Sequence, residues 1–145
     1  MGYFLGLTGY SLRGKEVIEC GIADFYVKQE NVQDLENEIV KSTNLNTSIE
    51  EIREITRKYS EPLERNQLKY KHEDLINNVF GKSSLEEIYN ELQSSNQEKE
   101  FTKKILQMMK GNSPLSMKII FEQIKRGENL NFEENLKMDM RLADR

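Results

Sequence analysis

The sequence has one cysteine, one histidine, and no apolar run longer than Tyr3 to Leu7. Cys20 has no second cysteine to pair with inside the chain, which fits a reducing compartment. His72 would have to carry any Ser-His-Asp or histidine–metal arrangement alone. The apolar run falls far short of the roughly 20 residues that span a bilayer. No basic region precedes a long apolar stretch, so the N-terminus does not read as a secretory signal. Cytosol or an organelle matrix is the expected compartment. The eight glycines are isolated from one another, and no Gly-Gly turn is available to aim paired backbone N–H groups at a carbonyl. An excess of positive charge is also missing. The net charge is −4 and basic residues are spread among acidic ones, which argues against a nucleic-acid partner.

What is present is a chain of 145 residues, 32% charged and 37% apolar, enough for one domain built of helices that each bury a stripe. Residues 2–8 form a nearly all-apolar helical segment, and Gly9 suits the left-handed position after a helix end. Leaving Tyr3, Phe4, Leu5 and Leu7 in water would forfeit about 1.5–3 kcal/mol for each side chain. The opening helix is therefore expected to be an interior surface made to meet a neighbour. Gly2 and Gly6, four residues apart, would let another segment approach it closely. Residues 15–20 read as a short helix stopped by Gly21, and residues 22–27 as the one strand.

From residue 30 the periodicity is helical. Val32, Leu35, Ile39 and Val40 make one stripe, and Ile49, Ile52, Ile55 and Tyr59 the next. Pro62 precedes a helix over about 63–79, with Leu68, Leu75, Ile76 and Val79, ending before Gly81. Further helices carry Leu85, Ile88, Tyr89 and Leu92; then, over 97–110, Phe101, Ile105, Leu106, Met108 and Met109, closed by Gly111. Met117, Ile119, Ile120, Phe121 and Ile124 follow, stopped at Gly127, and last Phe132, Leu136, Met140 and Leu142. Ser48 with Glu51, Ser84 with Glu87, and Asn131 with Glu134 have capping-box spacing, and Ser113-Pro114 is a strong helix start.

Several residues invite chemistry. His72 sits in the charged stretch Lys69–Asp74 and reads as a solvated surface histidine. Cys20 reads as a buried, inert thiol, since reactive cysteines need a positive, partly exposed surrounding. The pairs Glu50-Glu51, Glu86-Glu87 and Glu133-Glu134 fall in first helical turns, where negative charge complements the helix dipole. Met108, Met109, Met117, Met138 and Met140 read as packing filler. No residue is assigned to catalysis, and none to a metal.

Two blocks carry a resemblance. The first is Gly2-Tyr3-Phe4-Leu5-Gly6-Leu7-Thr8-Gly9, with Leu12–Val17 and Gly21-Ile22-Ala23. The second is Ser113-Pro114-Leu115-Ser116-Met117-Lys118, with Gln123, Gly127, Phe132–Leu136 and Met138–Ala143. Together they resemble the later part of 3-hydroxyisobutyryl-CoA hydrolases, of the enoyl-CoA hydratase/isomerase (crotonase) superfamily. Met117 replaces a usual leucine, Asp139-Met140 replaces Glu-Tyr, and Asp24-Phe25 stands where some relatives carry Thr-His. Residues 28–110 match in helical character but hold no motif.

The resemblance implies a mainly α chain, the helical C-terminal portion of a crotonase-like α/β fold. Residues 1–27 would end the core, and 28–145 would form the C-terminal helical region. It implies a coenzyme A thioester as substrate and no cofactor. In that family a glutamate, an aspartate and two backbone N–H groups act on the thioester, on a segment preceding the Gly-Tyr-Phe-Leu block. Those groups are expected upstream of Met1, in a missing catalytic half, which leaves the chain alone inactive. Lys103, Lys104, Lys110, Lys118, Lys125 and Arg126 either face coenzyme A phosphates or form a solvated face, the latter favoured. Arg141 is expected to be an ion-pair partner holding the last helix. A fragment of a hydratase or isomerase, and a stand-alone helical interaction module, are the competing readings; a homo-oligomer stays open.

Overall fold

The computed structural model describes residues 1–44, 46–62 and 69–144. Contacts gather the chain into two compact units, one made of Met1–Ser11 with His72–Arg145 and the other of Leu12–Lys71. The chain is mainly α, as expected.

The first unit contains α1 (Gly2–Thr8), α5 (Glu73–Phe80), α6 (Leu85–Ser94), α7 (Lys99–Gly111), α8 (Pro114–Gly127) and α9 (Phe132–Ala143). α1 packs against α8, α7 and α5, and α6 packs against α5, α7 and α8. Phe4 and Leu7 are completely buried, and Phe4 lies edge-on to Phe80 and tilted against Phe101. Tyr3 packs tilted against Phe121, ring centres 4.8 Å apart, and stays half-buried, as does Leu5. Helices that follow it in the chain thus cover the Phe4 and Leu7 side of the opening helix and supply the neighbour expected for it, while Tyr3 and Leu5 are not fully enclosed. Apolar burial is not directional, and the stripes of α5, α7 and α8 supply the cover.

Gly6 gives the close approach expected of it: a Cβ there would stand 2.9 Å from Ile120 Cγ2 and 3.2 Å from Ile124 Cδ1. Gly2 does not, having open space beside it. Gly9 takes the left-handed conformation at φ 68°, and its N–H closes the helix on Leu5 O. The same end is tied down by Asn112, whose Nδ2 donates to Leu7 O at 3.0 Å, satisfying a carbonyl with no intrahelical partner.

The capping signals hold with one change. Asn131 and Glu134 form both bonds of the box, and so do Ser48 and Glu51 in the other unit. Ser84 accepts from Glu87 N, but the Glu87 carboxylate takes the N–H and hydroxyl of Ser83 instead. Ser113 caps α8 with Pro114 in its first turn. The helix expected over 63–79 begins, in the described residues, only at Glu73; its first part, with Leu68, lies outside them.

The second unit contains α2 (Lys15–Glu19), α3 (Gln29–Ser42) and α4 (Ile49–Tyr59), with α3 against α4. No residue of α3 is buried, and Val40 is 79% exposed, so its stripe is only partly used. Polar contacts complete the pair: Glu38 accepts from Lys58 Nζ at 3.0 Å and from the Tyr59 hydroxyl. The expected strand at 22–27 shrinks to one antiparallel bridge, Val27 to Ser60, beside a bond from Glu61 N to Tyr26 O at 2.9 Å. The partner segment explains this. Ser60 is the first extended residue after α4, and Pro62 has no N–H to continue a ladder.

Candidate functional site

The second of the two sequence blocks builds one wall of a groove in the first unit. Leu85 and Tyr89, one turn apart on α6, face Met109 at the end of α7 and Pro114 and Met117 in the first turn of α8, around about 500 Å³. Glu86, Asn90, Lys110 and Asn112 supply its polar lining. Ser113 fixes how α8 enters: extended at ψ 125°, it accepts from Ser116 N and lets Pro114 occupy the first helical position. Lys118 Nζ reaches Glu86 at 3.0 Å, a clamp from α8 to α6. The Lys118 hydrogen bond, with one from the Glu86 backbone, holds that carboxyl below the usual carboxylate range.

The groove's chemistry is that of holding. Its lining includes no hydroxyl or thiol nucleophile beyond the Tyr89 phenol, and its one carboxylate is paired with Lys118. Apolar walls with Lys110 among them suit an amphipathic molecule with negative charge. Among the described residues, no three His, Cys, Asp or Glu side chains gather to hold a metal ion.

The remaining candidates are scattered. His72 is not a solvated surface histidine: its side chain is 15% exposed, stacks flat on Phe101 at 3.5 Å, and hydrogen-bonds the Glu98 carboxylate. Cys20 is half-buried at the end of α2 rather than buried. The three glutamate pairs lie in first turns, as expected. Arg126 pairs with Glu122, and Lys104 lies over the Tyr10 ring, 4.8 Å from its centre. Lys103, Lys110 and Lys125 are exposed. Arg141 is exposed and makes no ion pair among the described residues, contrary to expectation. Met109 and Met117 are core residues, Met108 and Met138 are half-buried, and Met140 is 65% exposed, so the last is not filler.

Two features escaped the sequence reading. The four-residue spacing of Leu85 and Tyr89 places both on one face of α6, but spacing does not tell a groove wall from a core stripe. In the second unit, Asp24, Phe25, Arg53 and Arg57 line a cavity of about 620 Å³, with Arg53 3.6 Å from Asp24 and the Arg57 guanidinium over the Phe25 ring. Nothing in the spacing of Asp24-Phe25 and Arg53 signals that meeting.

Comparison with known proteins agrees over the whole chain. The sequence profile of the enoyl-CoA hydratase/isomerase family matches residues 1–145. A mitochondrial 3-hydroxyisobutyryl-CoA hydrolase of Dictyostelium discoideum is 33% identical over 98% of this chain and 37% of its own length. Enzymes of the same name from Xenopus tropicalis and Homo sapiens are 33% and 31% identical over 99% of the chain. The chain spans 37% of the length of each of these curated relatives. On this match the protein belongs to the enoyl-CoA hydratase/isomerase family.

Proposed function

We propose that the chain forms the helical, C-terminal part of an acyl-CoA thioester hydrolase acting on 3-hydroxyisobutyryl-CoA, a step of valine breakdown. The observation that carries this reading is the match itself: relatives of that name align with almost the entire chain and use only 37% of their length to do so. The groove beside Ser113–Lys118 then helps complete the pocket for the acyl-CoA, with Lys110 toward its negative charge. The glutamate, the aspartate and the two backbone N–H donors of the reaction lie in the part the match leaves uncovered. The compartment of this reading is the mitochondrial matrix, the relatives being named as mitochondrial, or the bacterial cytoplasm.

A backbone donor that meets the developing oxyanion contributes about 2.7–4 kcal/mol to such a reaction. Without those donors or the acids, the chain holds substrate and does not cleave it. Purified chain incubated with 3-hydroxyisobutyryl-CoA should release thiol no faster than buffer; turnover would overturn the reading. The substrate is tested by placing this chain in the human relative in place of the stretch it matches. Hydrolysis of 3-hydroxyisobutyryl-CoA is expected. Hydration of crotonyl-CoA instead would favour a hydratase, and neither activity would favour a binding module.

A further inference from the structure

The cavity of the second unit carries both signs of charge on one lining. Asp24 and Glu61 share it with Arg53 and Arg57, and Ile18, Phe25 and Pro62 supply its apolar part. Arg53 and Arg57 stand one turn apart on α4, so both project from one face of the helix. Like charges at that spacing repel unless something negative lies with them. Each guanidinium has a carboxylate nearby, and neither is saturated by it. Arg53 Nη2 lies 3.6 Å from Asp24 Oδ2, outside hydrogen-bond reach. Arg57 pairs with Glu54 and lies over the Phe25 ring. A guanidinium has five donors and a carboxylate about four acceptor positions, so such pairs keep capacity on both partners. All four of these charged side chains are about half exposed, where an ion pair gains little and is readily exchanged for a ligand's charge. Glu61 differs: Lys15 and Lys28 both hold it at 2.9 Å, and their bonds keep its carboxyl below the usual range.

A simple anion in this cavity would gain the two arginines and meet Asp24 and Glu61; a simple cation would meet the reverse. A ligand with both charges on neighbouring atoms satisfies both. Arginine forks suit a carboxylate, and Asp24, facing Arg53 without closing on it, is placed to take an ammonium. The volume of about 620 Å³ lies within the range of small-molecule sites, about 300–1,000 Å³, and leaves room for a bulky side chain. We propose that this cavity binds a free α-amino acid with a large apolar side chain. Its carboxylate lies on Arg53 and Arg57, its ammonium on Asp24, and its side chain along Ile18, Phe25 and Pro62. The site shares no residue with the groove of the first unit and stands whether or not the acyl-CoA reading holds.

Isothermal titration calorimetry on the purified chain tests it. L-Phenylalanine should bind with a dissociation constant of about 1 mM or tighter. Phenylpropionate, which lacks the ammonium, and phenethylamine, which lacks the carboxylate, should each bind at least tenfold more weakly. Arg57→Leu and Asp24→Asn should each weaken L-phenylalanine at least tenfold while the helix content stays as in the wild type. Glu50→Gln, on the same helix and off the lining, should leave binding unchanged. Phenylpropionate or inorganic phosphate binding as tightly as the amino acid would overturn the proposal and make the cavity an anion site. Phenethylamine binding as tightly would overturn it in favour of a cation. Binding that neither Arg57→Leu nor Asp24→Asn weakens would place the amino acid elsewhere, and no binding of L-phenylalanine would overturn the site altogether.

Discussion

The His72 imidazole donates to the Glu98 carboxylate across 26 residues of sequence, joining the start of α5 to the start of α7. Glu98 is also the only non-glycine among the described residues with positive φ, at 42°. Such backbone is disfavoured for a residue with a Cβ and persists where neighbours over-determine it. The His72 bond and the stack on Phe101 are what hold it.

His72→Ala should therefore destabilise the first unit by about 1–2 kcal/mol in urea unfolding. Glu98→Ala loses the bond and keeps the backbone penalty. Glu98→Gly loses the bond and removes the penalty, so it should be about 1 kcal/mol more stable than Glu98→Ala. Equal stability of the two variants would show that the left-handed backbone at 98 costs nothing.

Gly6 and Gly2 make a paired test of close packing in α1. Alanine at 6 drives a Cβ into Ile120 Cγ2, which sits on a β-branched carbon and cannot swing away. Overpacking costs about 1–3 kcal/mol, against a helix-propensity gain of about 1 kcal/mol. Gly6→Ala should lose about 1 kcal/mol net, and much less in an Ile120→Ala background, which removes the clashing methyl. Gly2→Ala meets nothing and should be neutral or stabilising by about a few tenths of a kcal/mol.

In the second unit, Glu61 accepts from Lys15 and Lys28, both at 2.9 Å, and these two hydrogen bonds hold its carboxyl below the usual range. The unfolded chain thus takes up this proton at a higher pH than the folded one. The contribution is complete above the unfolded carboxyl's pKa, about 4.3, and is lost as pH falls through the lower folded value. Thermal melting of the wild type should fall more between pH 6 and pH 3 than that of Glu61→Gln. Parallel falls would sink the assignment.

Local signals carried most of the helical architecture. Ser48, Ser113, Asn131, Gly9 and Gly81 mark helix ends through hydrogen bonds or backbone freedom within a few residues, so spacing alone finds them. The segment at 22–27 shows where that fails. Its β-branched and aromatic residues favour extension, but a strand needs a partner, and Ser60 followed by Pro62 supplies a single pairing. His72 shows the same for burial: its neighbours in sequence are charged, and Phe101 and Glu98 are not its neighbours in sequence.

The sequence by itself determined that this is a chain of capped, amphipathic helices in the enoyl-CoA hydratase/isomerase family, because periodicity, caps and family blocks are properties of short stretches. Only the tertiary structure decided which apolar stripes are used. α1, apolar around most of its circumference, is covered by α5, α7 and α8, while α9, with an equally regular stripe, is left open. A stripe states that a face can be buried; what buries it depends on which other stripes the folded chain has already spent.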